Sequence, residues 1–338
     1  MNVTTIGIDL AKTSFSLHGV DNHEKPCLRK TVSRKKLLST MANMPPCLVG
    51  MEACSGAHYW ARELVKLGHD VRIMAPKFVI PYRKGGKNDN NDAAAICEAV
   101  ARPDMRFVSI KSAEQQAVLS LHRVRQGLIR QRTGLINQLR GLLSEFGLVI
   151  PKGRYQTHQH IPSILEDAEN GLPDLARELI NDVWQRYQDT CDHVLKADRR
   201  LAALAKQSVQ ARRIMTIPGV GEQVSTAMVA SIDPRQFSNG RQLAAWIGLT
   251  PRQYTTGGHV RLGRITKQGD KYLRMCLIHG ARAVIANLGD KQDKVSCWIR
   301  ELIARRGYKR AIVALAARNA RLIWTLMIKQ EEYRVVPA

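Results

Sequence analysis

From Ala113 onward the apolar residues of this chain change period. Val118, Leu121, Val124, Leu128, Ile129, Leu135, Leu139 and Leu142 recur at helical spacing between Ser112 and Gly147. Gly171, Leu172 and Pro173 interrupt the next stretch, and a second long helical pattern runs from Leu175 to Gln207. Two long helices joined by a Pro/Gly-containing connection predict an antiparallel hairpin with coiled-coil character over residues 113–208. Such an arm dimerises or holds domains apart. Arg123, Arg125, Arg130, Arg132 and Arg140 make its first helix basic. A phosphate backbone and plain solvent are equally good environments for those five.

Residues 1–112 read differently. "TTIGIDL", "SFSLHGV", "CLRKTVS", "PCLVGMEA" and "DVRIMAP" are short strand patterns. "RKKLLSTMANM", "GAHYWARELVKLG" (closed by Gly68) and the stretch from Asn88 to Ala101 are helical between and after them. Alternation of this kind predicts an α/β sheet with covering helices. Residues 209–338 are Gly-punctuated, basic and mostly helical, so three domains are expected.

Four acids in the first part form a pattern. Asp9 ends the first strand, where Gly7 and Ala11 leave room for a ligand, and Glu52 ends a later one. Asp89 and Asp92 are spaced i, i+3 on a helix face. Each has an ordinary alternative: a strand-end cap for Asp9, a surface acid for Glu52, an N-cap for Asp89. Two carboxylates on one face repel unless a cation lies between them. Hard oxygen ligands of this kind suit Mg²⁺, which keeps several waters and binds through a few carboxylates plus substrate phosphate. Mg²⁺ so held would serve phosphodiester chemistry.

In the third part, "IMTIPGVGEQVSTAMVASI" (214–232) has the form of a helix-hairpin-helix. Pro218, Gly219 and Gly221 make the turn, and the following helix start offers N–H groups to a phosphate. The alternative is a turn packed inside the protein. Further on, Arg252, Arg261, Arg264, Lys267 and Lys271 surround Thr255, Thr256, Gly257 and Gly258. Arginine forks bind phosphate oxygens and stabilise charged transition states. Thr255 and Thr256 also suit a Gly-Gly turn. His259 and His279 are given no role.

The formal net charge of +23 on 338 residues calls for a polyanionic partner, and nucleic acid is the usual one. It disfavours a small-molecule kinase, for which a second phosphate loop is also lacking. The seven cysteines form no C-x-x-C pair, so a zinc knuckle or disulfide framework is not expected and a reducing cytoplasm is. No apolar run is expected to span a membrane, and "MNVTTIGIDLAK" lacks the order of a signal peptide.

An Asp on strand one, a Glu on a later strand and Asp-x-x-Asp on a helix resemble the ribonuclease-H-like fold of RuvC-like Holliday-junction resolvases. More closely, "GIDLAK", "MEACSGAHYW", "KNDNNDAAAI" and "AAWIGLTPRQYTTGGHVRLGRITKQGDKYLRMCLIHGARAV" resemble the DEDD-type insertion-sequence transposases, along nearly the full chain. That resemblance implies a RuvC-like catalytic domain at 1–112, the arm at 113–208 and a mostly α-helical transposase domain at 209–338. It implies a bridge-RNA-guided recombinase of donor and target DNA. It also implies a hydroxyl nucleophile before the glycine pair: serine in most members, Thr256 at the matching position here. A composite site between protomers, with dimers rising to tetramers on DNA, belongs to the same expectation. The competing expectation is a metal-dependent junction nuclease that activates water.

Overall fold

The computed structural model describes residues 3–86 and 88–334. Met1, Asn2 and Lys87, which fall within two of the motifs quoted above, lie outside them. The chain forms two compact units, Met1–Gln116 and Ala117–Ala338.

The first unit is a mixed α/β structure. Its elements are β1 (Thr5–Leu10), β2 (Ser14–Val20), β3 (Pro26–Ser33), α1 (Leu37–Ala42), β4 (Leu48–Glu52), α2 (Ala57–Lys66), β5 (Asp70–Met74), α3 (Pro76–Val79), α4 (Asp89–Val100) and β6 (Phe107–Val108). The six strands lie in the order β3-β2-β1-β4-β5-β6. β1, β2 and β3 form an antiparallel meander, β1, β4 and β5 run parallel, and β6 is antiparallel to β5. This arrangement is consistent with the ribonuclease-H-like expectation.

Alternation along the strands assigns their two faces. Ile6, Ile8, Val49 and Met51 are buried in one core with Leu37 and Met41 of α1 and Trp60 and Leu64 of α2. Gly7 and Gly50 lie under α4. A Cβ on Gly7 would stand 2.2 Å from the Ala93 carbonyl oxygen, and one on Gly50 would stand 2.7 Å from Val100 Cβ. The space expected at Gly7 for a ligand is therefore filled by a helix. α2 ends as its sequence predicts: Gly68 takes φ +90°, and the His69 N–H reaches back to the Leu64 carbonyl.

The chain passes through α5 (Ala113–Ser144), which begins at the end of the first unit, and continues through α6 (Arg154–Glu166), α7 (Asp174–Gln207), α8 (Val209–Met215), α9 (Glu222–Ser231) and α10 (Gly240–Ile247). It ends with β7 (Pro251–Thr256), β8 (His259–Ile265), α11 (Lys271–Ala286), α12 (Lys294–Arg306) and α13 (Tyr308–Lys329). α5 and α7 form the expected antiparallel pair. Arg125 of α5 binds Asp198 far along α7, whereas Leu139 and Leu143 pack with Ile180, Val183 and Trp184 near the start of α7. Buried α7 positions 180, 183, 187, 190, 194, 197 and 201 alternate spacings of three and four. α6, between the two arms, is absent from the sequence reading because Pro162 and its polar residues hide its short period.

The C-terminal helices share a second core. Ile214, Leu243, Leu277, Leu315, Ala316 and Ile323 are all buried in it. No membrane-spanning run is expected from the sequence; α13 alone among the described helices is long and apolar enough to cross a membrane, by length and composition only. Half of its apolar window is nonetheless buried inside this core, from Ala311 to Met327.

Candidate active site

Asp9 and Glu52 stand one residue beyond the Ile8–Met51 pair of two adjacent parallel strands. They share the sheet face of Gly7 and Gly50, the side that α4 covers. α4 runs antiparallel to β1. Cys97 Sγ contacts the Thr5 carbonyl at 3.6 Å, and Ala93 lies over Gly7. Continuing in that sense brings the N-terminal turn of α4, with Asp89 and Asp92, toward the sheet end that carries Asp9 and Glu52. The Cys54 thiol registers the charge there: burial raises its pKa first, and the Asp9 and Glu52 carboxylates add to the rise.

Local chemistry explains why acids start α4. Asn88 is the N-cap, its Oδ1 accepting from the Asn91 N–H at 2.8 Å. The capping alternative for Asp89 is thereby corrected, and both aspartates sit in the first helical turn. Negative charge is favoured at that end of the helix dipole. Asp89 is exposed; Asp92 is half-buried and takes the Arg83 guanidinium at 3.4 Å. The cation beside Asp92 is thus a side chain, one the sequence reading did not single out although it opens the basic run before α4. As a donor set, four carboxylates fit a hard divalent ion. Among the described residues, however, no three His, Cys, Asp or Glu side chains stand close enough to grip one.

The threonines lie on a β-hairpin that the sequence reading missed, although "TTGGHV" carries its signal: strand formers around two glycines. β7 and β8 pair antiparallel, with Thr256 opposite His259, Thr255 opposite Val260, Tyr254 opposite Arg261 and Gln253 opposite Leu262. Gly257 and Gly258 take φ +54° and +79°, the left-handed pair a two-residue turn needs. Both strands are exposed along nearly all their length. The register separates the threonines. Thr256 shares a face with Arg252, Tyr254, His259 and Arg261. Thr255 shares the other with Val260 and Leu262, and its hydroxyl accepts from Gln253 Nε2 at 2.9 Å.

The base of the hairpin is anchored. Gly248, after α10, and Gly269 leave no room for side chains: a Cβ would stand 2.1 Å from the Gln268 carbonyl oxygen and 1.8 Å from that of Trp246, respectively. Buried Arg274 donates through Nη1 to the Ile247 carbonyl at 2.7 Å and the Gln268 carbonyl at 3.1 Å. Arg264 lies on the hairpin, Lys267 follows it with φ +54°, and Lys271 opens α11; all three are exposed.

The two turn glycines between α8 and α9 differ. Gly219 (φ +85°) packs inward against α11, where a Cβ would meet the Gly280 carbonyl oxygen at 2.7 Å, and Asn319 Nδ2 donates to the Pro218 carbonyl at 2.9 Å. Gly221 is exposed with open space around it, at the N-terminus of α9.

Residues 6–147 match a transposase family of the DEDD type, and residues 211–295 match the family described as transposase IS116/IS110/IS902. A probable family 20 transposase of Pseudomonas aeruginosa is 47% identical over 99% of each chain. The transposase for insertion sequence element IS1111A of Coxiella burnetii is 40% identical over 98% of this chain and 92% of its own length. This chain belongs to the IS110 family of insertion-sequence transposases. A pilin gene-inverting protein of Moraxella lacunata is a more distant relative, 23% identical over 98% of this chain and 97% of its own. Membership gives the transposase its general activity, which is to cut and rejoin DNA, and its substrate, DNA. The two family matches cover both site regions: the first contains all four acids, and the second contains Gly219, Gly221, the hairpin and Lys271.

Proposed function

We propose that this transposase recombines donor and target DNA under the direction of a structured bridge RNA, through a covalent Thr256–DNA ester. The supporting observation is the register of the hairpin: Thr256 stands at the tip of an exposed ribbon, on the face that carries Arg252 and Arg261. Thr256 Oγ1 attacks phosphorus, a phosphodiester oxygen leaves as a DNA hydroxyl, and the bond energy is kept in the new ester. A hydroxyl from the exchanged strand then attacks that ester, reseals the DNA and restores Thr256 without ATP. Arg252 and Arg261 neutralise the phosphate oxygens during both steps. Asp9, Glu52, Asp89 and Asp92 would hold Mg²⁺, which when bound supplies Lewis acidity to the phosphate.

The RNA partner rests on the family resemblance. So do the division into a carboxylate domain (1–112), an arm (113–208) and a nucleophile domain (209–338), and the dimers that become tetramers on DNA. The alternating burial along α7 supports coiled-coil character in the arm. Gly221 supports a helix-hairpin-helix contact to phosphate, whereas Gly219 serves packing. A gene-inverting relative is in keeping with conservative strand exchange.

Labelled DNA incubated with protein and RNA, run on denaturing gels, tests the chemistry. Thr256→Ala should lose adduct and product, Thr256→Ser should keep both, and Thr255→Ala should be milder. Asp9→Asn and Asp92→Asn should remove recombination with the fold intact. Metal-dependent cleavage without any trapped adduct in the unmodified protein would replace this reading with a water-activating junction nuclease.

A further inference from the structure

The hairpin face that carries Thr256 also carries an aromatic ring that nothing in the described residues covers. Tyr254 is 60% exposed, and no ring or cation stacks on it. The residue diagonally across from it is Gly263. A Cβ there would meet Tyr254 Cε2 at 3.7 Å, so an edge of the ring stands beside the glycine, on the face that also carries the Arg252 Cβ. More than half of the side chain remains open to solvent. Arg252 precedes it by two residues on the same face, and Arg261 is its cross-strand partner. Between Pro251 and Gly269 there are four Arg or Lys residues and no Asp or Glu. Arg252 Nη2 lies 3.5 Å from the Thr266 carbonyl at the hairpin base. The surface is therefore an exposed aromatic ring on a ribbon whose charged residues are all basic, and its charge complement is a polyanion with π faces of its own.

We propose that Tyr254 is a stacking platform for an unpaired DNA base next to the phosphate presented to Thr256, with Arg252 and Arg261 on the flanking phosphates. Residues i and i+2 of a strand are separated by about 7 Å. That separation lets Thr256 reach a phosphate while Tyr254 meets the neighbouring base. An aromatic platform is tolerant of base identity, because every base has a π face. It acts only on a base that has left the duplex stack. Tyr254 thus favours locally melted DNA at the point of attack. The inference rests on Thr256 as the attacking group only for its location, and the stacking itself is separable from the chemistry.

The test uses the full chain and short DNA single strands that contain the fluorescent base 2-aminopurine, with matched RNA strands and duplex DNA as the other arms. In the unmodified protein, binding to single-stranded DNA should quench the probe. Tyr254→Phe should behave likewise. Tyr254→Leu should lose the quench and bind roughly 5- to 140-fold more weakly, the span of one stacked base, with unchanged thermal stability. Gly263→Ile should reproduce that loss by pushing the ring off the ribbon. Equal quench and affinity in Tyr254→Leu would overturn the platform. Tighter, Tyr254-dependent binding of the RNA strand, or of the intact duplex, would overturn the assignment to unpaired DNA. Thr256→Ala should keep the quench. If the adduct maps away from Thr256 while the Tyr254-dependent quench persists, the nucleophile reading fails and the platform stands.

Discussion

His122 of α5 is almost fully buried. Its ring nitrogens lie 3.0 Å from Thr226 Oγ1 of α9 and 2.8 Å from the Tyr272 hydroxyl of α11. Burial first, and then the charge of Arg125, push its pKa down to about 4. The folded protein therefore holds a neutral ring that the unfolded chain protonates at the ordinary value of 6.5. Above pH 6.5 the contribution to stability is fully present. It falls as pH drops from 6.5 toward 4, because the unfolded state then binds the extra proton. At about 1.4 kcal/mol per pH unit the full loss is on the order of 3 kcal/mol. Thermal melts of the unmodified protein and His122→Gln between pH 7.5 and 4.5 check this. The difference between their melting temperatures should shrink as pH falls, and a constant difference would remove His122 as the cause. At the same scale, Asn88 shows what sequence leaves open. The sequence reading offers Asp89 as the cap of α4, but Asn and Asp are equally good caps, so local chemistry does not choose between it and Asn88. The chain's entry into the helix decided for Asn88.

Among the elements, the turn between α8 and α9 assigns two similar glycines to different tasks. Gly219 touches Gly280 of α11 so closely that a Cβ on Gly280 would stand 1.9 Å from the Gly219 carbonyl oxygen. Gly280→Ala should force α11 away and destabilise the protein by about 1–3 kcal/mol, as overpacked cores do. Gly221→Ala, with open space around it, should leave the melting temperature nearly unchanged. If α9 receives a phosphate, Gly221→Ala should weaken DNA binding without that structural cost. Calorimetry on both variants, paired with DNA titrations, separates packing from contact. The hairpin shows the same division between pattern and partner. Its Gly-Gly turn is legible in "TTGGHV", but the two short strands that pair across it are not.

For the whole molecule, charge is the dominant fact. Of 52 Lys and Arg residues, the ion pairs among the described residues engage Lys66, Arg72, Arg83, Lys84, Arg102 and Arg125. The formal net charge of +23 leaves an excess of positive charge. Besides the hairpin, it includes Arg305, Arg306, Lys309 and Arg310, all exposed where α12 meets α13. Affinity for duplex DNA should fall with salt, with a log–log slope magnitude of roughly 0.9 per phosphate neutralised. Arg261→Ala should lower that magnitude by about one contact, and so should Arg306→Ala. Titration at four or more salt concentrations measures both slopes. A flat response in the unmodified protein would argue against phosphate contacts as the source of affinity.

The sequence by itself determined the α/β first part, the long helices of the arm, the basic charge and the family, because periodicity, net charge and motif order are properties of the chain alone. It also placed Asp9 and Glu52 at strand ends, since strand length follows from local pattern. Tertiary structure decided the rest. That Gly7 makes room for α4 and not a ligand depends on a helix more than eighty residues away in sequence. The placement of Arg83 beside Asp92 depends on how the chain returns into α4. The separation of Thr256 from Thr255 depends on strand pairing, since a single residue of register exchanges the two faces of a β-ribbon.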